Sequence, residues 1–379
     1  MKKIKFDDFV RLNRGFDLPD SQIVEGIYPV VASTNIKAYH NQYKIDPPVV
    51  VTGRSGSLGQ VQYIDQKCWP LNTSLYSKDF RGNHPKYVYY YLQMMHLEQY
   101  NAGAGVPTLN QNHLHNLKIL VHGIEEQKRI ASILSAYDTQ IENNQKRIKL
   151  LEQMAENLYK EWFVRFRFPG YETAEFEGGV PKGWEYKPLG EIASFERGLS
   201  YSSEEIDCED GLNLVNLKNI EAFGGYRRDG LKHYNGKYKT AQVVKKGDLV
   251  MGVTDMTQDR RTVGAVALIP EIQGTSVISA DLVKIVSKQP NLFLYCLCRF
   301  GNYSKFFSQF ANGANVLHLK PNTLLNKKVL MPTDHLIKMF VENVQASIEC
   351  IDNLYKQNDF LTHQRDLLLP RLISGKLSI

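Results

Sequence analysis

The sequence predicts an α+β protein: two similar globular domains separated by two long helices that pair as an antiparallel coiled coil. Three observations predict it. The chain has 379 residues, more than one hydrophobic core usually holds. One glycine-rich segment recurs at a fixed offset of 210 positions, and two stretches carry an apolar seam with alternating steps of four and three. The expected boundaries are 1–122 for the first globular domain, 123–165 for the first long helix and 166–183 for a linker. The second globular domain is expected over 184–332 and the second long helix over 333–379.

The repeat comes first, because it changes every later reading. Residues 101–120 align without gaps on residues 311–330. The identities include Gly103/Gly313, Ala104/Ala314, Val106/Val316, Leu109/Leu319, Asn112/Asn322, Leu114/Leu324, Lys118/Lys328 and Leu120/Leu330. A weaker anchor, Arg14-Gly15 with Arg197-Gly198, has an offset of 183, so the second copy carries 27 more residues than the first. These are expected among the loops between Asp207 and Gly247.

The first copy mixes β-rich runs (Pro48–Thr52, Gln60–Ile64) with glycine-rich turns and a helix expected over Lys86–Gln99. Between the runs lies the loop Gly53-Arg54-Ser55-Gly56-Ser57-Leu58-Gly59. Arginine forks match guanine edges, and serine hydroxyls reach phosphate oxygens. Arg54, Ser55 and Ser57, with the polar cluster Asn35, Lys37 and Tyr39, are therefore the candidate nucleic-acid contacts of this copy.

Several catalytic readings fail here. Asp46-Pro47-Pro48-Val49 resembles the Asp-Pro-Pro-aromatic motif of amino-methyltransferases, but Val49 stands where a ring would stack on a flipped base. No glycine-rich loop for a methyl donor accompanies it. Gly53–Gly59 lacks the Gly-Lys-Ser/Thr ending of a P-loop. Gly103-Ala104-Gly105 lacks the third glycine of a dinucleotide fold and reads as a tight turn.

After Gly123 the period changes. Ile130, Leu134, Tyr137, Ile141, Asn144, Ile148, Leu151, Ala155, Leu158 and Trp162 form a heptad seam, with Glu125 and Glu126 in the first turn, where negative charge suits the helix dipole. The same register moved by 210 gives Phe340, Val344, Ser347, Ile351, Leu354, Asn358, Leu361, Arg365, Leu368 and Leu372. A helix of about 40 residues spans about 60 Å. One polar seam position in each helix, Asn144 and Asn358, is a device that fixes register at some cost in stability.

The segment from Phe166 to Gly183 is rich in glycine and proline and breaks any helix. Its aromatics, with Trp162 and Phe163, read equally as a partner-docking patch and as a local cap on the coiled coil.

The second copy repeats the pattern, with runs at Asp248–Gly252 and Val263–Ile269 and a helix expected over Asn291–Phe310. Its candidate contacts are Thr254, Gln258, Arg260 and Arg261 in the loop 254–261. Lys218, Asn219, Arg227, Arg228 and Lys232 form a second cluster. In both copies the loops as groups, not their single members, are the candidate readers.

Composition bounds the rest. Hydrophobic residues make up 43% and charged residues 23%, ordinary for a folded protein. No run of about 18 apolar residues is present, and the basic start Met1-Lys2-Lys3 leads into no apolar stretch, so neither a membrane span nor a secretory signal is expected. A cytoplasmic location follows as the expectation. Five cysteines (Cys68, Cys208, Cys296, Cys298, Cys350) are scattered, without zinc-ligand spacing, and read as reduced thiols. The net charge of +6 is compatible with a nucleic-acid partner without demanding one.

Taken together, these segments resemble the specificity subunit of a Type I restriction–modification system, over essentially the whole chain. The resemblance is carried by the glycine-rich segment running into Leu109-Asn110 and by the helix opening Glu125-Glu126-Gln127-x-x-Ile130-x-x-x-Leu134-x-x-x-Asp138-x-x-Ile141. It is carried also by Val180-Pro181-x-Gly183-Trp184 leading to Leu189-Gly190, and by the ending Leu367-Leu368-Leu369-Pro370-Arg371-Leu372-Ile373-Ser374-Gly375. The second helix departs from the pattern at Asp334-His335-Leu336. The resemblance implies that each globular domain is a target-recognition domain reading one half of a split, asymmetric sequence in double-stranded DNA. It implies two modification (methyltransferase) subunits docked on the helices, with restriction (motor–nuclease) subunits joining them. S-adenosylmethionine and ATP would belong to those partners, and this chain would need no cofactor and do no catalysis. Two rival readings stay open: a coiled-coil interaction scaffold without DNA binding, and an active methyltransferase.

Overall fold

A computed structural model describes residues 1–103, 105–206 and 211–378. Ala104 of the repeat, Asp207 at the start of the expected insertion, and Cys208 lie outside the described residues. The chain divides into two compact units, Met1–Asn144 with Lys356–Ile379, and Gln145–Tyr355.

In the first unit, a four-stranded sheet has the order Arg11–Arg14, Ser74–Asp79, Val49–Gly53, Val61–Ile64, every neighbour antiparallel. Val49–Gly53 is central and buried along its whole length. That is why its sequence is a continuous β-branched run with no polar alternation. A three-stranded sheet (Ile36–His40, Tyr28–Val31, Trp69–Pro70) stands beside it. Lys2–Lys5 pairs with Lys118–Val121, so the first and last strands close the globular part just before the long helix begins at Ile124. The core joins Phe6, Phe9, Tyr87 and Leu92 to Ile130 and Leu134 of the first long helix and Leu372 of the second.

The second unit repeats this plan. Its four-stranded sheet runs Ala193–Arg197, Leu282–Ser287, Leu249–Gly252, Val266–Leu268. Its closing pair is Glu185–Pro188 with Lys328–Met331. Lys118–Val121 and Lys328–Met331, and the helix starts Ile124 and Asp334, all keep the offset of 210. The extra residues are more dispersed than the sequence suggests. Gly53 and Gly252 end matching strands at an offset of 199, which places 16 of the 27 before Gly252 and the other 11 after it. Loops at strand ends carry no packing constraint, so insertions collect at each of them.

The long helices run Ile124–Tyr159 and Asp334–Ile373. In the first unit Asp138 meets Arg365 and Asn144 meets Asn358, numbers rising on one helix as they fall on the other. In the second unit Ile148 packs with Ile351 and Leu354, and Trp162 lies against Phe340 with ring centroids 6.0 Å apart. The pairing is antiparallel, and no seam residue of either helix is exposed.

Two expected helices are broken. Lys86–Gln99 is a helix over Pro85–Met94 and a short turn over Leu97–Tyr100, parted by His96 at φ 49°. Asn291–Phe310 is two helices, Asn291–Phe300 and Tyr303–Ser308, parted by Asn302 at φ 63°. Asparagine and histidine are among the non-glycine residues that most readily take left-handed backbone, and Gly301-Asn302 is a helix-end signal that the expected single helix passed over. The linker resolves its two readings. Phe163 and Phe168 are buried against Trp184, Phe163 also against Phe293 and Phe340, and Trp162 against Phe163 and Phe340, so they cap the helix end. A small hairpin, Phe176–Glu177 with Val180–Pro181, follows.

Cys68, Cys296 and Cys298 are buried and Cys350 is half-buried, with no disulfide among them. Burial pushes the Cys68 and Cys298 thiols up to about 12.

Candidate nucleic-acid interface

In the first unit four loops converge at one end of the sheets. Arg54 and Ser55 donate their backbone N–H groups to the Thr73 carbonyl at 2.8 and 3.1 Å. The Ser33 hydroxyl donates to the carbonyls of Thr73 (2.8 Å) and Ser55 (3.3 Å), which ties in the turn before Ile36. The segments 101–103 and 107–109, bridged at Asn101 and Leu109, clasp the other side. Gly56 donates to the Pro107 carbonyl at 2.9 Å, and Leu109 donates to the Arg54 carbonyl at 2.8 Å. A Cβ at Gly53 would overlap the Ser57 carbonyl, and one at Gly103 the Val106 carbonyl, so both turns require glycine. The backbone is fixed, and Asn35, Ser57 and Val106 are presented outward.

The second unit builds the same clasp from different residues. Leu319 donates to the Val253 carbonyl at 2.8 Å, the counterpart of the Leu109–Arg54 bond, and Gly313 abuts the Val316 carbonyl as Gly103 abuts Val106. The loop is longer here and is pinned from within. Asp255, 2% exposed, accepts from Thr262 N (2.7 Å), Thr257 N (2.8 Å) and Thr257 Oγ1 (2.9 Å). Gln258 Nε2 donates to the Ala314 carbonyl of the hairpin at 2.9 Å. Met256, Thr257, Gln258, Asp259 and Arg261 form the exposed crest.

The candidates read from sequence divide accordingly. Asn35, Ser57, Lys218, Arg227, Gln258 and Arg261 are exposed on loops, while Arg54 and Ser55 are half-buried at the clasp. Arg227 pairs with Asp229 at 3.0 Å and Arg261 with Asp259 at 2.6 Å, both in solvent. Such exposed pairs contribute little and exchange readily. Lys37 is bound to Asp20 and Tyr39 is exposed, both on the edge strand Ile36–His40 and outside the clasp. Lys232 is half-buried on the strand Lys232–Tyr234.

Three candidates are corrected. Asn219 is fully buried, and its amide accepts from Asn216 N at 3.0 Å and donates to the Arg227 carbonyl at 3.1 Å, so it builds the turn. Thr254 is 5% exposed, on a short strand paired with Leu317–His318. Arg228 reaches Asp352 of the second long helix at 2.9 Å and lies 4.5 Å over the Tyr355 ring, so it anchors the globular part to the helix. Arg260 is half-spent: its Nη1 donates to the Ser308 carbonyl at 2.5 Å. Sequence reasoning missed Ser33, Asn216 and Asp255, small polar residues whose roles depend on burial. It also missed the clasping action of the segments 101–103 and 107–109, although the Gly103/Gly313 identity was its signal.

Among the described residues no group of three His, Cys, Asp or Glu side chains is placed to hold a metal ion, and no helix is long and apolar enough to cross a membrane.

Comparison with known proteins agrees with this geometry. The family profile of the Type I restriction modification DNA specificity domain matches residues 1–153. The MjaIX specificity subunit of Methanocaldococcus jannaschii is 29% identical over 334 residues, covering 82% of this chain and 74% of that protein. The HindI specificity subunit of Haemophilus influenzae is 23% identical, covering 72% and 71%. The crystal structure of the S subunit of a Type I restriction–modification system from M. genitalium superposes with a TM-score of 0.62 at 17% identity, covering 98% and 96%, and shares the fold. Two units that share the order of their four-stranded sheets, with two long helices, meet a match that spans most of the chain. Residues 1–153 thus match the Type I restriction modification DNA specificity domain, and the chain as a whole is similar to Type I restriction enzyme specificity subunits over most of its length.

Proposed function

We propose that each unit's globular part is a target-recognition domain, so that the chain reads a bipartite, asymmetric DNA target. In this reading the domains span 1–122 and 184–332, and the helices over 123–165 and 333–379 set the unread gap. Two modification subunits dock on those helices, restriction subunits join them, and the assembly works in the cytoplasm on double-stranded DNA. One observation carries the reading: the same clasp presents crests of different chemistry in the two units. Ser57 and Arg54 stand in one, and Met256 and Gln258 in the other. Identical frames with unlike side chains suit two unlike half-sequences.

The test is to map methylated sites in cells carrying the whole system with Arg54→Ala or Gln258→Ala in this chain. Each substitution is expected to relax one half-sequence only, by roughly 1–3 kcal/mol of discrimination at the affected base. Equal loss at both halves would mark the residue as a general backbone contact and count against the assignment.

A further inference from the structure

A cleft of about 390 Å³ lies beside the second unit's crest, between the loop 259–261 and the helix Tyr303–Ser308. Six non-glycine residues among those described have left-handed backbone, and three of them, Phe223, Arg260 and Asn302, line this one cleft. Such strain persists where the surroundings over-determine it and collects at functional sites. Here the constraints are visible. The Phe223 N–H donates to the Arg261 carbonyl at 2.7 Å, and Arg260 Nη1 donates to the Ser308 carbonyl at 2.5 Å.

The effect is to hold Arg261 and Lys305 on the two rims. Arg261 has only the exposed Asp259 as partner, and no acidic group pairs with Lys305 among the described residues. Ser304, 8% exposed, also lines the cleft with a hydroxyl that has no hydrogen-bond partner. The fold itself does not demand this charge. At the matching place in the first unit, where His96 breaks the helix, Glu98 covers Gly59, so an acid stands where the second unit has bases.

We propose that this cleft is a phosphate site that takes one phosphodiester of the DNA backbone, with Lys305 and Arg261 as its cationic arms. The proposal rests on the reading of the second unit as a DNA reader. It adds a contact, absent from the first unit, that holds the duplex without reading bases and makes the second unit the more salt-sensitive of the two.

The test is a salt titration of the full chain against a duplex carrying its methylation-mapped site and an unrelated duplex of equal length. Each neutralised phosphate adds about 0.9 to the slope of log affinity against log salt. Lys305→Gln and Arg261→Gln together are expected to lower that slope by about 0.9 and to weaken both duplexes about fivefold at 0.15 M salt, and each alone to lower it by part of that amount. Lys305→Arg should behave as wild type. An unchanged slope in both glutamine variants, with wild type binding normally, would overturn the phosphate site and leave the DNA reader standing. Loss confined to the mapped duplex would overturn it too, by making these residues base readers. Inorganic phosphate exchanged for chloride at constant ionic strength is expected to affect wild type and Lys305→Gln alike. A selective effect on wild type would assign the cleft to free phosphate instead. If wild type binds neither duplex, the DNA-reading function itself falls, and this site with it.

Discussion

Asp255 shows how a single side chain fixes a loop. Its carboxylate gathers three donors from Thr257 and Thr262, and this turns a longer, insertion-bearing loop into a fixed crest. Burial pushes its pKa up, while the hydrogen bonds from Thr262 and Thr257 outweigh burial and leave it below the ordinary value. A carboxylate depressed in the folded state contributes stability that is present above its unfolded value and lost as pH falls through the folded one. Asp255→Ala is therefore expected to cost about 2 kcal/mol in unfolding experiments at neutral pH. The gap to wild type should close below about pH 4. A gap that persists in acid would show that the carboxylate's charge is not what pins the loop. At this scale the sequence was legible for composition and not for burial. Arg54, Gln258 and Arg261 lie at the clasp or crest, where their polarity suggested, but Asn219 and Thr254 are equally polar and lie inside. Which polar residue of a loop turns inward depends on tertiary partners several strands away.

The long helices are the elements the sequence describes best, because a heptad seam is a local pattern with one structural solution. The polar seam positions find each other: Asn144 Nδ2 donates to Asn358 Oδ1 at 3.0 Å, both buried, and Gln140 donates to Asn144 Oδ1 at 3.1 Å. Their counterparts by the offset of 210, Leu354 and Ile148, are apolar and pack together in the second unit. Asn144→Leu alone leaves the Asn358 amide buried without its partner, and a loss of about 1–3 kcal/mol is expected. The double variant Asn144→Leu/Asn358→Leu should recover that loss, with a coupling of at least about 0.5 kcal/mol in a double-mutant cycle. Additive effects would mean the two amides do not interact. A second anchor lies in the same unit, where Asp138 accepts from Arg365 Nη1 at 2.6 Å and from the Tyr90 hydroxyl at 2.5 Å. Arg365→Ala is expected to lower stability by about 2 kcal/mol, read by thermal unfolding, because Asp138 loses a charged partner in a half-buried setting. The elements the sequence hides are the shortest: two-residue strands, and the helix break at His96, whose residue type only weakly favours left-handed backbone, whereas Gly301-Asn302 marked the other break.

At the scale of the whole molecule, duplication explains most of what was legible. The order of the four-stranded sheet and the closing strands recur between the units, and the second unit adds the strand Val243–Val244 to its second sheet. The copies differ at the crests, where the proposed reading of two half-sequences needs difference. The proposed reader uses two such crests and a helical spacer between them, so the spacer length should appear in the target as unread bases. The direct measurement is to insert one heptad between Asn144 and Ile148 and another between Leu354 and Asn358, then map methylated sites in cells carrying the system. Seven residues add about 10 Å of helix, about three base pairs at 3.4 Å each, and a whole heptad preserves the seam. The account predicts that the gap lengthens by about three base pairs while both half-sequences stay unchanged. Methylation at the original spacing would contradict it.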